Sequence, residues 1–583
     1  MVKRSFRSFW LLASVLIALT VGPGSSRAPA AAAAQQPSRP NVVVILVDDM
    51  GWSDTAPFGS EISTPNIEAL AAGGIQFTQF YATPRCSPSR ASLLTGLYPH
   101  QAGMGHLDTM TRPGSLGITG RLNDRSVTIP EVLREAGYFT IMSGKWHLGQ
   151  NNGTPPWTRG FDRSLSLNAG GMYFPNQNYQ GPDATLTSRA HEPLYLNGVA
   201  TPRDAPAFGS SWYSPYLWTD FALKFIDEAR QTGKPFFLYL PHNAPHFPLM
   251  APPELIAKYR GKYKAGWDAL RQTRYQRQIQ KGLIDPKWPL TPREPDIRAW
   301  DSLSDQDKDR FDQLMAVYAA MVEAIDTSVG TLVRGLESRG LRDNTLIFFM
   351  SDNGANAESG PNGRMDGEGP GGPNSNLYLG MSWASLGSTP FRRFKHFTLE
   401  GGISSPLIVN WPAGIAPNRR HTLERQTAHL IDLMPTIVDL AGARYPTEFR
   451  GNAIQPMEGI SLRPIFSGQA ITRAQPLFWE HEGNRAVRSG NWKIVSTYPG
   501  EWELYDIAAD RVERTNVAAA HPDVVAKLGA EWDAWAKRAN VDPWPGPQLM
   551  PWGDNMPRGG RAGAPGRQGG RGGVPQPGRG AAQ

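Results

Sequence analysis

Four runs of consecutive apolar residues, rich in β-branched and aromatic side chains, punctuate the first 350 positions: Val42–Val47, Tyr138–Met142, Pro235–Leu240 and Thr345–Met350. An apolar run without polar alternation suits a strand covered on both faces, so each predicts a buried parallel strand. Helical periodicity separates them. Phe311, Leu314, Met315, Tyr318, Val322, Ile325, Val329, Leu332 and Leu336 recur at three- and four-residue spacing. They predict an amphipathic helix over 310–338 that passes through Gly340 into the fourth strand. Ile129–Ala136 predicts a shorter helix before the second strand. The alternation implies an α/β fold: a large, doubly wound, mostly parallel sheet flanked by helices.

After about residue 450 the pattern changes. Arg485–Ser489, Trp492–Ser496 and Glu501–Ile507 read as short strands between turns, and His521–Ala539 as a final helix. This predicts a smaller C-terminal antiparallel sheet plus helix. Residues 150–220 and 355–395 are rich in Gly, Asn, Pro and aromatics without clear periodicity and are expected to wall the site as loops.

Composition and charge narrow the function classes. The 583 residues carry a net charge of +7 and one cysteine. A single cysteine excludes a disulfide framework and a multi-thiolate zinc site. The positive charge sits at the ends: residues 1–40 hold +5 and residues 557–583 another +5, leaving −3 for the body. Nucleic acid is therefore not an expected partner.

Lys3, Arg4 and Arg7 precede the uncharged run Phe9–Gly22 and an Ala-rich zone, the order of an export signal. At 14 residues the run falls short of the ~20 needed to span a bilayer, and no other segment reads as a span, so no stable membrane anchor is expected. The division that follows is 1–35 signal peptide, 36–450 catalytic α/β domain, 451–556 small α+β subdomain and 557–583 a Gly/Arg/Pro-rich tail without side chains to bury. The protein is expected to use the export machinery and to be periplasmic or secreted.

Each strand run is followed by polar residues: Asp48-Asp49, then Lys145-Trp146-His147, then His242 and His246, then Asp352-Asn353. Ligands of open α/β sheets bind outside the carboxyl ends of the strands, so these clusters should converge. In Cys86-Ser87-Pro88-Ser89-Arg90, Pro88 suits a helix start and puts Cys86 at or just before an N-terminus. Such a place exposes and acidifies a thiol; the alternative is a small buried apolar residue.

The run Cys86-x-Pro88-x-Arg90 followed by Leu94-Thr95-Gly96 resembles the type I sulfatases, the formylglycine-dependent branch of the alkaline phosphatase-like superfamily. The resemblance continues at Asn41–Asp49, Gly144–Gly149, Ala244-Pro245-His246, Ser351–Gly354 and Lys395–Gly402. It covers about residues 41–450, and Thr389–His396 with Pro245–Leu249 look most like bacterial arylsulfatases.

The resemblance implies that a separate maturation enzyme oxidises Cys86 to Cα-formylglycine. The hydrated aldehyde attacks the sulfate sulfur, expels the alcohol or phenol, and re-forms its carbonyl as inorganic sulfate leaves. Asp48, Asp49, Asp352 and Asn353 offer only oxygen ligands, suited to Ca²⁺ or, second, Mg²⁺, with residue 86 completing the set. Arg90, Lys145 and Lys395 surround the sulfate. Lys145 and His147, two apart, are expected on one side of an extended segment; His147 assists sulfate release, and His246 with Lys395 protonates the departing oxygen. The implied substrate is a small-molecule or glycan sulfate ester, aryl sulfates first.

His242, His396, Arg392, Arg393, Trp212, Tyr213 and Trp383 are further candidates to line the pocket, steer anions or stack on a ring, against core packing or solvation. Two rival functions remain: a phosphonate monoester or phosphodiester hydrolase of the same superfamily, and an inactive sulfatase-like binding protein.

Overall fold

The computed structural model describes residues 39–179 and 192–544. The expected signal (1–35), the tail (557–583) and the end of the small C-terminal region lie outside them.

The main sheet is built from β1 (Asn41–Val47), β2 (Ile75–Phe77), β3 (Phe139–Lys145), β4 (Arg163–Leu167), β5 (Leu194–Leu196), β6 (Val199–Thr201), β7 (Phe236–Pro241), β8 (Thr345–Ser351), β9 (Leu407–Asn410) and β10 (Thr422–Glu424). Their order is β10-β2-β9-β8-β1-β7-β3-β4-β5-β6. The four strands expected from the apolar runs form the parallel centre, β8-β1-β7-β3. β9 runs antiparallel against β8.

Why the central strands carry unbroken apolar runs is plain from their surroundings. Alternate residues of β1 enter two different cores. Val43, Ile45 and Val47 join the cluster containing Leu217 and Phe225 of α2 (Ser214–Thr232) and Leu314 and Val322 of α3 (Asp305–Ser338). Val42, Val44 and Leu46 join Ala91, Leu93 and Leu94 of α1 (Cys86–Thr95) and Leu433, Met434 and Ile437. α3 is long and apolar enough to cross a bilayer, but 78% of its most apolar window is buried in the protein. It is a core helix, begun at Ser304, whose side chain accepts the Asp307 N–H.

The small sheet comprises β11 (Leu477–His481), β12 (Asn484–Ser489), β13 (Trp492–Ser496) and β14 (Glu503–Asp506), all antiparallel. α4 (Pro522–Ala539) packs on it, with Trp532 Nε1 donating to Trp479 O at 3.0 Å. Buried charges tie this sheet to the main body: Lys493 Nζ lies 2.9 Å from Glu400 and 2.7 Å from Glu513, and Arg511 Nε 3.1 Å from Glu400.

Two expectations need correction. The stretch 150–220 contains β4, β5, β6 and the first turns of α2, and 355–395 contains the hairpin Arg364–Gly367/Ser375–Tyr378 and a helix at Met381–Gly387. These strands, three to five residues long and set among Gly, Asn and Pro, are too short to show a readable period. β9 and β11 escape for the same reason.

Candidate active site

The parallel register brings the carboxyl ends together. Val47 pairs with Ser351, so Asp48 and Asp352 leave neighbouring strands at the same level, and Asp352 N–H donates to Val47 O at 3.0 Å. Lys145 is the last residue of β3, and its Nζ reaches Asp48 Oδ2 at 2.7 Å. α1 begins at Cys86 itself, and Pro88 is its third residue. One turn on, Arg90 is fully buried and donates to Asp352 Oδ2 at 3.0 Å and to Lys145 O at 2.9 Å.

Lys395 arrives from a loop pinned by its own N–H on Ala355 O (3.1 Å) and by His396 N–H on Pro84 O (2.9 Å). Its Nζ sits 2.9 Å from Asp49. His246 Nε2 lies 3.5 Å from Asp49 Oδ2, while its Nδ1 faces Phe247 O at 2.6 Å. His147 Nδ1 stands 3.4 Å from Cys86 Sγ. All ten predicted site residues therefore converge on one buried place at the carboxyl edge of the sheet.

The expected extended geometry at Lys145–His147 is not found: His147 is left-handed, φ 58°. Asp49 (φ 67°), Arg393 (62°), His396 (80°) and Glu482 (52°) share that conformation. Non-glycine residues held there cost of order 1–3 kcal/mol each and persist where surrounding contacts enforce them.

The electrostatics are those of a buried, mixed-charge cluster. Burial raises the Asp48 carboxyl, but Lys145, His246 and Arg90 outweigh it and hold the group below the ordinary range. Asp49 is lowered likewise, with Lys395 and His246 opposing burial. Asp352 goes the other way, to about 7, because burial and the Asp48 charge together exceed the help from Arg90. Burial lowers His246 to about 4 against the pull of Asp49 and Asp48. Burial resists the Lys395 charge, yet Asp49 and Glu358 raise its pKa.

For Cys86 burial wins over the helix terminus: the thiol is 2% exposed and its pKa is raised, despite Lys145 and Lys395. Of the two alternatives that its position left open, the buried thiol is the one found. The unmodified sulfur is poorly suited to be a nucleophile at neutral pH.

The donor set fits a hard cation. Asp48 Oδ1 and Asn353 Oδ1 are buried acceptors without a hydrogen-bond donor. Oxygens of Asp48 and Asp49 also lie within 4.8 Å of one another and of a His246 ring nitrogen. Arg90, Lys145 and Lys395 match the three carboxylates in charge, but the unused lone pairs on Asp48 Oδ1 and Asn353 Oδ1, beside an Asp352 raised by burial and the Asp48 charge, are what an oxygen-seeking divalent ion would satisfy.

Sequence reasoning missed an outer layer. Asn356 donates to Asp49, and Glu358 lies 2.7 Å from Arg85, 3.0 Å from His396 and 3.6 Å from Lys395. His396 also meets Glu482 at 2.9 Å. Asp108 lies beside His147. No motif marks these residues: Asn356 and Glu358 follow β8, Glu482 joins β11 to β12 and Asp108 follows α1, and these segments meet only in the folded chain.

The weaker candidates resolve toward packing. Burial brings His242 to about 3, and its Nε2 lies 3.5 Å from Ser328 Oγ. Arg392 donates to Glu513 O and Arg393 pairs with Glu294. Trp212, Tyr213 and Trp383 are core residues whose polar atoms bond to the backbone carbonyls of Arg203, Met250 and Phe311.

The family model described as Sulfatase matches residues 40–443, and one for the C-terminal region of N-sulphoglucosamine sulphohydrolase matches 391–536. The chain belongs to the sulfatase family. An uncharacterized sulfatase of Schizosaccharomyces pombe is 37% identical, over 86% of this chain and 94% of that protein. The arylsulfatase of Klebsiella aerogenes is 34% identical, over 76% of this sulfatase and 96% of its own length. Among solved structures, Ps i-CgsB in complex with k-i-k-neocarrahexaose superposes with a TM-score of 0.62 at 28% identity, covering 86% of this sulfatase and 93% of that chain. The fold and the hydrolysis of sulfate esters follow from membership; the finer chemistry rests on the site.

Proposed function

We propose that this sulfatase hydrolyses aryl sulfate monoesters to a phenol and inorganic sulfate, using formylglycine made from Cys86 and one Ca²⁺. The observation that carries the reading is the position of Cys86: first residue of α1, facing His147 Nδ1, and enclosed by Arg90, Lys145, Lys395 and the Asp48/Asp49/Asp352/Asn353 oxygens. A small tetrahedral anion needs such a ring of fixed cations in a water-poor site.

Formylglycine at position 86 supplies a hydrated-aldehyde oxygen as nucleophile, and a calcium ion held by Asp48, Asp49, Asp352 and Asn353 supplies Lewis-acid polarisation of the sulfate. The chain's own residues do the rest. Arg90, fixed by Asp352 and the Lys145 carbonyl, orients residue 86. Lys145 and Lys395 neutralise sulfate oxygens. Lys395 and His246, both beside Asp49, serve the departing oxygen, with Lys395 carrying the proton because His246 is neutral and turns Nδ1 to Phe247 O, and His147 Nδ1 receives a proton from the oxygen at position 86. The reading entails a formylglycine-generating partner and export through a signal in residues 1–35.

The aryl assignment leans on the Klebsiella aerogenes arylsulfatase. A sulfated carbohydrate is the second reading, favoured by the neocarrahexaose bound in the solved relative. Turnover of p-nitrophenyl sulfate, a phosphonate monoester and a sulfated galactoside, with peptide mass analysis at position 86, tests the proposal. Sulfate turnover with the formyl mass is expected. Preference for the phosphonate ester, or full activity with an unmodified thiol, would overturn it.

A further inference from the structure

We propose that Asp108 is a positioning residue for His147, making Cys86–His147–Asp108 a relay in which Asp108 selects the imidazole tautomer. The inference rests on the reading of His147 given above. His147 Nδ1 lies 3.4 Å from Cys86 Sγ, and on the far side of the ring His147 Nε2 lies 3.3 Å from Asp108 Oδ1. All three residues are buried, at 2%, 4% and 4% exposure. At 3.3 Å the Nε2 contact is an ion-pair approach without the alignment of a hydrogen bond, as catalytic contacts often are before substrate binds.

Two features make the contact more than proximity. Asp108 is anchored to the turn that follows His147: its Oδ2 accepts the Gly149 N–H at 3.3 Å, and its carbonyl accepts Asn152 Nδ2 at 2.8 Å. His147 itself is held in a left-handed conformation, φ 58°, between β3 and that turn. Backbone and ring are thus both fixed relative to one carboxylate.

A neutral imidazole has one N–H and one lone pair. A carboxylate only accepts, so the N–H belongs on Nε2 and the lone pair points from Nδ1 at residue 86. When the oxygen on residue 86 gives its proton to Nδ1, the Nε2–H stays on Asp108, whose charge offsets the imidazolium. Asparagine at 108 would present an N–H₂ as readily as an oxygen and let the ring adopt the opposite tautomer, with its lone pair turned away from residue 86.

The test uses the full matured chain with p-nitrophenyl sulfate. Asp108→Asn is expected to lower kcat by ~10²–10³-fold, the range of a misplaced acid–base group, with KM within about threefold and the melting temperature retained. In a His147→Ala background it should cost less than about twofold, since the two residues act as one unit. Nitrogen-15 spectra of labelled histidine should show His147 as the Nε2–H tautomer in the wild type and lose that signal in Asp108→Asn. A near-wild-type kcat for Asp108→Asn, a full additional loss in the His147→Ala background, or an unchanged tautomer would each overturn the proposal. If His147→Ala is fully active, or the wild type fails to hydrolyse the sulfate, it is the reading of the site that fails.

Discussion

Replacing Asp352 by Asn should stabilise the metal-free protein at pH 8, although it removes a residue the site needs. Asp352 is fully buried beside Asp48, and its pKa stands at about 7 against an ordinary 3.8. At roughly 1.4 kcal/mol per pH unit, holding this carboxylate ionised costs the fold about 4 kcal/mol. The sign follows from the raised value. Above pH 7 both folded and unfolded chains carry the charge and the full cost is felt. As pH falls from 7 toward 3.8 the folded chain takes up the proton first, and the cost fades.

Asparagine mimics the protonated acid: it keeps an oxygen for the Arg90 donor, which lies 3.0 Å from Asp352 Oδ2, sets its N–H₂ against the Asp49 N–H that reaches Oδ1 at 3.1 Å, as the acid's O–H does, and carries no charge. In EDTA, urea unfolding should therefore find Asp352→Asn more stable than wild type by about 2–4 kcal/mol at pH 8, with little difference near pH 4. Calcium should reverse the order at pH 8, because binding stabilises only the chain with the complete donor set. The comparison is between two proteins at each pH, so buried histidines such as His242 and His246, whose values lowered to about 3 and about 4 make stability rise from there toward about 6.5, cancel. Parallel pH curves for the two proteins in EDTA would refute the reasoning, as would calcium stabilising both equally.

Other substitutions separate catalysis from folding. Lys395→Ala should slow hydrolysis of an alkyl sulfate far more than of p-nitrophenyl sulfate, by ~10²-fold in the ratio of kcat/KM, if Lys395 helps protonate the leaving oxygen. Lys493→Met leaves Glu400 and Glu513 buried without their shared cation, 2.9 and 2.7 Å away, and should cost about 3–5 kcal/mol in urea unfolding. A Cβ on Gly144, at φ 138°, would stand 2.0 Å from Pro241 O. Gly144→Ala should push β3 off β7, move Lys145 and His147, and lower both the melting temperature and kcat.

Much of the site was legible in the residues alone. Four unbroken apolar runs, each followed by charged or imidazole side chains, determined a buried parallel sheet with its chemistry at one edge, because only strands covered on both faces need such runs. The spacing Cys86-x-Pro88-x-Arg90 placed Cys86 and Arg90 one helical turn apart. Oxygen-only ligands after β1 and β8 pointed to a hard cation before any register was known.

Tertiary structure decided what depends on partners distant in sequence. Whether Cys86 is acidified or suppressed turns on its burial, which no local pattern reports; the fold encloses it and raises its pKa. The left-handed turn at His147, the antiparallel strand β9 and the pairing of Lys395 with Asp49 arise from contacts between residues tens to hundreds of positions apart. Asp108 and Glu358 carry no motif and acquire their place only when separate loops meet over the carboxyl end of the sheet. Local sequence sets strand, turn and ligand type. The charge state of a buried group, and the neighbour that orients it, belong to the folded whole, because desolvation and Coulomb energy depend on what surrounds a side chain in space.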